Sequence, residues 1–513
     1  MMKITKYIAM LIFSLALSGC EPPLPPTPPP DELTVNILED EANLRPGLSY
    51  VLDYEIEGEY TLDEITITSN DENIVDIDED DKLITKNEGD AIVTVSVGDI
   101  SDTILLHVLD KTTNSYYEER ISSMKKTNAI PTIDDVSPLI ITTLDKSFKL
   151  SSLHNPLSHE EIKTIEIITV EQPVEYGDAY IILLDDISIV MDMGNYSSNY
   201  FDDGTRYGDY LKNLYDQYIP DHELDLLITT HPHSDHYGGY DALLSSINDI
   251  RFIVDYGYSD AYRYINDVRE YYVSKGATYF SIYDCVHEKN GAQKRFYLAS
   301  NCFIDWLDTG LYTENIESPT KYSDENVTST VGILTFNNFS LLFNGDLQGE
   351  ASYGDRGVDG EANLIKMNAD NENFHQVTML KVAHHGSYLA TSYSLLNILN
   401  PQLASISAGG PSDDEYYNGE YGICGGHPHD QTIERLYNYG NRRHTEVYLN
   451  YVNGTTHFIS DGLDSVYMSG SPLKSDLWGS RNGMEVNYTV TETTDMFNEL
   501  RDTKYYETCF LSR

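Results

Sequence analysis

The stretch His231-Pro232-His233-Ser234-Asp235-His236 constrains this chain more than any other. It follows an apolar run expected to be a strand, Leu224–Thr230, and leads straight into Gly238-Gly239. Four ligand-type side chains within six residues at a strand end are not what a hydrophobic core needs. Unpaired imidazoles and carboxylates are costly to bury, so the cluster points to a metal. A lone His-x-His is weak, whereas His-x-His-x-Asp-His followed by two glycines is a specific pattern. The spacing lets His231 and His233 point one way while Asp235 and His236 turn toward a second position.

With 513 residues, two or three domains are expected. From Ile165 strands alternate with helices, the signature of a layered α/β fold. Strands are expected at Ile165–Val170, Ala179–Leu184, Ile187–Met191, Leu224–Thr230, Met379–Val382 and Leu403–Ser407. A helix is expected over Tyr262–Lys275 and another from Ser392, with a hairpin of Val331–Thr335 and Ser340–Asn344. Residues 33–110 read as all-β, in short alternating runs at Thr66–Thr68, Ala91–Val97 and Thr103–Leu109. Residues 111–162 form a connector with a short helix in YYEERISSMKK, and residues 471–513 a tail.

The N-terminus sets the expected compartment. Lys3 and Lys6 precede an apolar run, then Leu17-Ser18-Gly19-Cys20, which describes a secretory signal over residues 1–20. Cys placed directly after Leu-Ser-Gly resembles a bacterial lipobox, which implies lipidation of Cys20 and an extracytoplasmic, membrane-anchored protein. EPPLPPTPPP, with seven prolines in ten residues, reads as a polyproline spacer within a linker over 21–32. Lys+Arg is 33 against Asp+Glu 83, a net charge of −50. Such a field repels phosphate backbones and anionic membrane surfaces, which disfavours a nucleic-acid-coating protein. The five cysteines include no CxxC pair, which excludes a cysteine-built zinc module. Cys285, Cys302, Cys424 and Cys509 are available for disulfides outside the cytoplasm. The DIDEDD run from Asp76 to Asp81 lacks the Gly and Glu of a calcium loop and reads as a solvated turn.

The histidine cluster belongs to a longer set of motifs. YGDAYIILLDDISIVMDMG carries Gly177-Asp178-Ala179 into a strand and ends near Asp192. LLFNGD places Asp346 after a strand and a glycine, and MLKVAHHGS runs from Met379 to Ser387. Together they resemble the metallo-β-lactamase superfamily over residues 163–470, and MLKVAHHGS is close to the signature of its competence-protein (ComEC) type. Extracellular phosphorylcholine esterases of that superfamily carry a similar His-rich turn, and Gly426-His427-Pro428 resembles a later turn of the same subgroup. The resemblance implies an αββα fold, two packed mixed sheets flanked by helices. It implies metal ligands at His231, His233, Asp235, His236, Asp346 and His385, with Asp346 bridging two metals. Residues 69–99, SNDENIVDIDEDDKLITKNEGDAIVTVSVGD, resemble the bacterial Ig-like group 2 domain, whose usual function is spacing or adhesion.

Two departures stand out. Many relatives supply a third-motif His to the first metal; here that interval holds only His287, and Asn326 and Ser329 occupy the corresponding place, as in competence-type domains. Which of His384 and His385 ligates is open, with His385 favoured. Imidazole and carboxylate donors suit Zn²⁺ first, with Mn²⁺ or Fe as alternatives. Such a metal brings the pKa of its water to about 7, so hydroxide becomes available for attack on phosphorus. Asp235 is expected to orient that nucleophile and His384 or His427 to protonate the leaving group. Asp192 positions the cluster. His287, His444 and His457 read as ordinary surface or packing residues, and Lys381 as the partner of a carboxylate.

A lipid-anchored, metal-dependent phosphoesterase is therefore the leading expectation. Residues 163–470 carry 45 acidic and 17 basic side chains, so a small or cell-envelope phosphodiester suits them better than DNA. The alternatives are a hydrolase of non-phosphate esters or lactones, and a surface-binding lipoprotein with an inert hydrolase fold. Metal content separates the last from the others.

Overall fold

Strands apolar on both faces must be covered on both sides, and in this chain the cover comes from a second sheet on one side and helices on the other. The computed structural model describes residues 33–38, 40–108, 157, 161–174, 176–258, 263–312, 325–349, 358–371, 373–387, 389–408, 427–428, 432, 435–436, 445–463 and 465–469, with strand backbone at 139–140, 147–149, 478–481 and 484–486. Cys20, the proline spacer, the helix expected in YYEERISSMKK, Cys424, His429, His444 and Cys509 lie outside the described residues.

Two mixed sheets pack face to face. One runs Leu139–Ile140, Ser465–Met468, Thr456–Ser460, Ile165–Thr169, Ala179–Leu184, Ile187–Met193, Glu223–Thr229, Asp249–Asp255, Thr278–Ser281. Its strands pair antiparallel as far as Ile187–Met193 and parallel from there on. The other runs Arg295–Ala299, Cys302–Trp306, Gly332–Phe336, Phe339–Phe343, Met379–Lys381, Leu403–Ile406, Glu446–Leu449. It too changes, from antiparallel to parallel after Phe339–Phe343. Carboxyl ends of strands at such changes open crevices where ligands bind in α/β sheets.

Period-2 alternation decides which residues meet where. Ile167, Ile182, Ile189 and Leu226 face Ile304, Leu334, Leu341 and Met379 between the sheets. Their neighbours Ile168, Ile181, Val190 and Leu227 pack outward under helix residues such as Leu211 and Val268. On the far side Ile333, Leu342 and Leu380 are covered by Leu364, Leu395 and Leu399. The expected helix–sheet–sheet–helix layering is the observed one, and the hairpin lies at Gly332–Phe336 and Phe339–Phe343. The helix Tyr207–Tyr218 and the strand Asp249–Asp255 were not expected. That helix buries Tyr207, Leu211 and Tyr215, and a stripe four residues apart made mostly of tyrosine hides its apolar face.

The N-terminal strands form small sheets around a core of their own. Glu41–Leu44, Ile100–Val108, Gly89–Val97 and Ile65–Ser69 make one; Ser147–Lys149, Ser49–Val51, Leu83–Thr85 and Val75–Ile77 another. Ala91, Val93, Val95 and Val97 are buried on alternate positions, as the sequence pattern required. Phe303 and Leu463 of the α/β region join this core.

A buried ion pair lies at the same junction, Arg45 Nε to Glu161 Oε2 at 3.3 Å. Burial outweighs the attraction of Arg45 and raises the Glu161 carboxyl to about 7. Because the folded value exceeds the unfolded one, its stabilising contribution is present below pH 4.5 and is lost as pH rises through 7. Glu161→Gln is therefore expected to flatten the fall in stability between pH 5 and 8 by about 1–3 kcal/mol. Urea unfolding at both pH values checks it; an unchanged slope would contradict the assignment.

Candidate metal centre

The cluster is assembled from loops at the carboxyl ends of strands in both sheets. From the first sheet, Glu223–Thr229 delivers Thr230, whose N–H donates to Asp192 Oδ1 at 2.8 Å and whose hydroxyl donates to Oδ2 at 2.7 Å. His233 then caps the short helix Ser234–Tyr237, which swings Asp235 and His236 inward. A Cβ on Gly239 would sit 2.1 Å from Met193 O, so only glycine lets this turn pack on the strand. From the second sheet, Phe339–Phe343 leads to Asp346, and Met379–Lys381 leads to the turn holding His384 and His385. Asp192, His384 and His385 have φ of 55°, 50° and 53°. Left-handed non-glycine residues cost about 1–3 kcal/mol each and persist where their surroundings over-determine them.

The hydrogen bonds fix how three histidines face. His236 Nδ1 lies 2.8 Å from Asp192 Oδ2, and His385 Nδ1 lies 3.1 Å from the Ser407 carbonyl. His231 Nδ1 lies 3.2 Å from Thr230 Oγ1, whose own proton goes to Asp192. Each Nδ1–H thus donates outward and turns Nε2 inward, the orientation of a metal-ligating histidine. Inward lies Asp346: His236 Nε2 is 3.2 Å from Oδ1, His385 Nε2 3.3 Å from Oδ2, and His231 Nε2 3.8 Å from Oδ2. Asp235 Oδ2 is 3.0 Å from His385 Nε2. Two sets of donor atoms lie within 4.8 Å of one another: Asp178, His236, Asp346 and His385; and His231, His233 and Asp346. Asp346 belongs to both.

These residues fit divalent cations. His231 Nε2, His236 Nε2 and Asp346 Oδ1 are buried without a hydrogen-bond partner, a costly state unless a cation answers it. Two donors about 2.1 Å from a tetrahedral ion are about 3.4 Å apart, close to the spacing of Asp346 with His236 and His385. Electrostatics agree. Burial opposes its charge, yet His236, His385 and His384 hold Asp346 well below the usual carboxylate range. Against burial, Asp346 and Asp178 raise His385 to about 10. Asp346 thus stays a carboxylate, the form a cation requires.

Asp178 stands in the first set by distance, but Lys381 claims it. The buried ammonium is 2.5 Å from Asp178 Oδ2 and donates to Gly345 O at 2.6 Å. Asp235 reaches the same histidines without that competitor, 3.0 Å from His385 and 3.8 Å from His236.

Ser329 Oγ accepts from the Asp346 N–H at 3.0 Å, and the carbonyl of buried Asn326 accepts from Ser329 N at 3.1 Å. His384 sits nearer the surface, its side chain 22% exposed, with Nε2 3.8 Å from Asp346 Oδ2. Burial lowers its basicity against the pull of Asp346, so its ring is uncharged at neutral pH. The His427 ring lies 5.6 Å from that of His384 and 5.9 Å from Tyr176.

Other expected residues fall elsewhere. His287 is exposed beside Tyr283, and His457 pairs with buried Glu166 at 2.8 Å. Cys285 and Cys302 are free, buried thiols, so neither takes part in the disulfides that outside-cytoplasm cysteines allow. The sequence reading missed Glu325, 3.4 Å from His233 Nε2, and the depth of Asp178. Asp178 was visible only as the residue opening a strand; Glu325 adjoins Asn326, the one signal that marked it.

Residues 175–409 match the family model described as the Metallo-beta-lactamase superfamily. Among solved structures the chain is similar to a new diphosphatase from the PhnP family, at 11% identity and TM-score 0.27, covering 48% of this chain and 86% of that one. It is similar to a metallo-beta-lactamase from Cronobacter sakazakii with a mutated HARLDQ motif, at 12% and 0.22, covering 41% and 74%. A third is unliganded yeast PDE1, at 10% and 0.25, covering 47% and 75%. No curated protein matches the chain.

Proposed function

Residues 175–409 form a metallo-beta-lactamase superfamily domain, and from that premise we propose that the protein is a metal-dependent phosphodiesterase of the competence-protein type. The observation that carries this is the convergence of two donor sets on one carboxylate, Asp346. Those two sets would hold two cations side by side, which would supply Lewis acidity at a bound phosphoryl group. When bound, such ions supply Lewis acidity and a water acidic enough to ionise near neutral pH.

The chain's own residues do the rest. Asp346 ties the two sets together, while Asp192, Ser407 and Thr230 hold the tautomers of His236, His385 and His231. Asp235 orients the attacking water. His384 and His427, at the mouth, hydrogen-bond the phosphoryl and leaving oxygens. Asn326 and Ser329 fix the loop of Asp346, and Zn²⁺ suits the donors, with Mn²⁺ or Fe next.

The substrate we propose is a small or cell-envelope phosphodiester, since 45 acidic against 17 basic residues over 163–470 repel a nucleic acid. In this reading Cys20 carries the lipid anchor outside the cytoplasm. Residues 33–110 are an Ig-like spacer of group 2 that meets a surface ligand, and residues 163–470 are the hydrolase.

The detergent-solubilised full chain is expected to hold two metals and to hydrolyse bis-p-nitrophenyl phosphate in a chelator-sensitive way. Turnover of only p-nitrophenyl acetate or a lactam would reassign the bond class. A metal-free, inactive protein would leave a tethered binding protein.

A further inference from the structure

We propose that Glu325 is a positioning residue of the first cation position, holding His233 as Asp192 holds His236; the inference rests on the metal-dependent reading above. Three histidines around Asp346 have an oxygen behind them, supplied by Asp192, Ser407 and Thr230. His233 has Glu325: its Nε2 lies 3.4 Å from Oε2, and the glutamate side chain is only 15% exposed. Glu325 is absent from the set formed by His231, His233 and Asp346, whose donor atoms lie within 4.8 Å of one another. It therefore meets His233 without joining the other donors of that set.

The backbone keeps Glu325 in place. It opens the short helix Glu325–Thr328, and Thr328 Oγ1 donates to its carbonyl at 2.8 Å. One residue further, Ser329 Oγ accepts from the Asp346 N–H at 3.0 Å. A single short stretch thus governs both His233 and Asp346, in the interval where this chain lacks a third-motif histidine.

Charge supports the assignment. Asp178, Asp192, Asp235, Asp346 and Glu325 set five carboxylates against one ammonium, that of Lys381. A carboxylate behind an imidazole also strengthens it as a ligand, which offsets a missing donor.

The test uses the full chain in detergent, with Zn²⁺ as probe. Competition titration is expected to give two affinities in the parent. Glu325→Leu should weaken one by about 10–100-fold and leave the other unchanged. Glu325→Gln, which keeps an acceptor oxygen, should recover most of the loss. In ¹⁵N-histidine spectra of the zinc-loaded protein, His233 should be protonated at Nε2 in the parent and lose that signature in Glu325→Leu. Unchanged affinities and spectra in Glu325→Leu would overturn the inference. So would complete loss of one cation in both variants, which would make Glu325 a ligand. A parent that binds no zinc would overturn the metal-dependent reading itself.

Discussion

Asp346→Ala is expected to strip both cation positions and to lower phosphodiester turnover by at least about 10³-fold, about 4 kcal/mol of transition-state stabilisation. No other side chain belongs to both donor sets, and its Oδ1 is buried without a hydrogen-bond partner. His236 and His385 lie 3.2 and 3.3 Å from its two oxygens, so removing them leaves each imidazole facing a void. Metal analysis and kcat/KM with bis-p-nitrophenyl phosphate measure the effect. A variant that keeps two metals and turns over within tenfold of the parent would show that the carboxylate is not shared. Asp346 N–H donates to Ser329, a backbone bond that alanine retains, so the loop should survive the change.

Lys381→Met carries the largest expected cost in stability, about 3–5 kcal/mol. Lys381 and Asp178 are both fully buried, with nitrogen and oxygen 2.5 Å apart. Neither oxygen of Asp178 makes a hydrogen bond in the described structure, so the ammonium is its chief compensation. Removing one member of a buried pair strands the other charge; replacing both is far less harmful. Lys381→Met combined with Asp178→Leu should therefore recover much of the loss, read by urea unfolding of the fluorescence of buried Trp306. If the double variant is no more stable than Lys381→Met, the pair does not act as a unit.

Legibility in the sequence followed what local pattern can carry. Strands such as Ala179–Leu184 were readable to the residue, because continuous apolar runs bounded by Gly and Asp leave little choice. Phe339–Phe343 shifted by one residue, since both faces are buried and alternation gives no phase. Helix Tyr207–Tyr218 escaped notice because its buried face is built largely from tyrosine. At the site, the residues carried by a contiguous motif were visible: His231 to His236, Asp346 and His385. Partners that depend on folding were not. Ser407 meets His385 only through its backbone carbonyl, which no side chain announces. Glu325 reaches His233 across 92 positions of chain, and Lys381 reaches Asp178 across 203.

His231 and His233 hang from one sheet, whereas Asp346 and His385 hang from the other. An ion held among them is therefore a rivet through the sandwich, fastening two layers whose facing surfaces are otherwise largely apolar. Such a fastening works in both directions. Any strain that slides one sheet over the other must pull the donors apart, so the grip on the ion reports on the integrity of the whole sandwich. A substitution deep between the sheets, far from any imidazole, would then first show itself as a leaking metal.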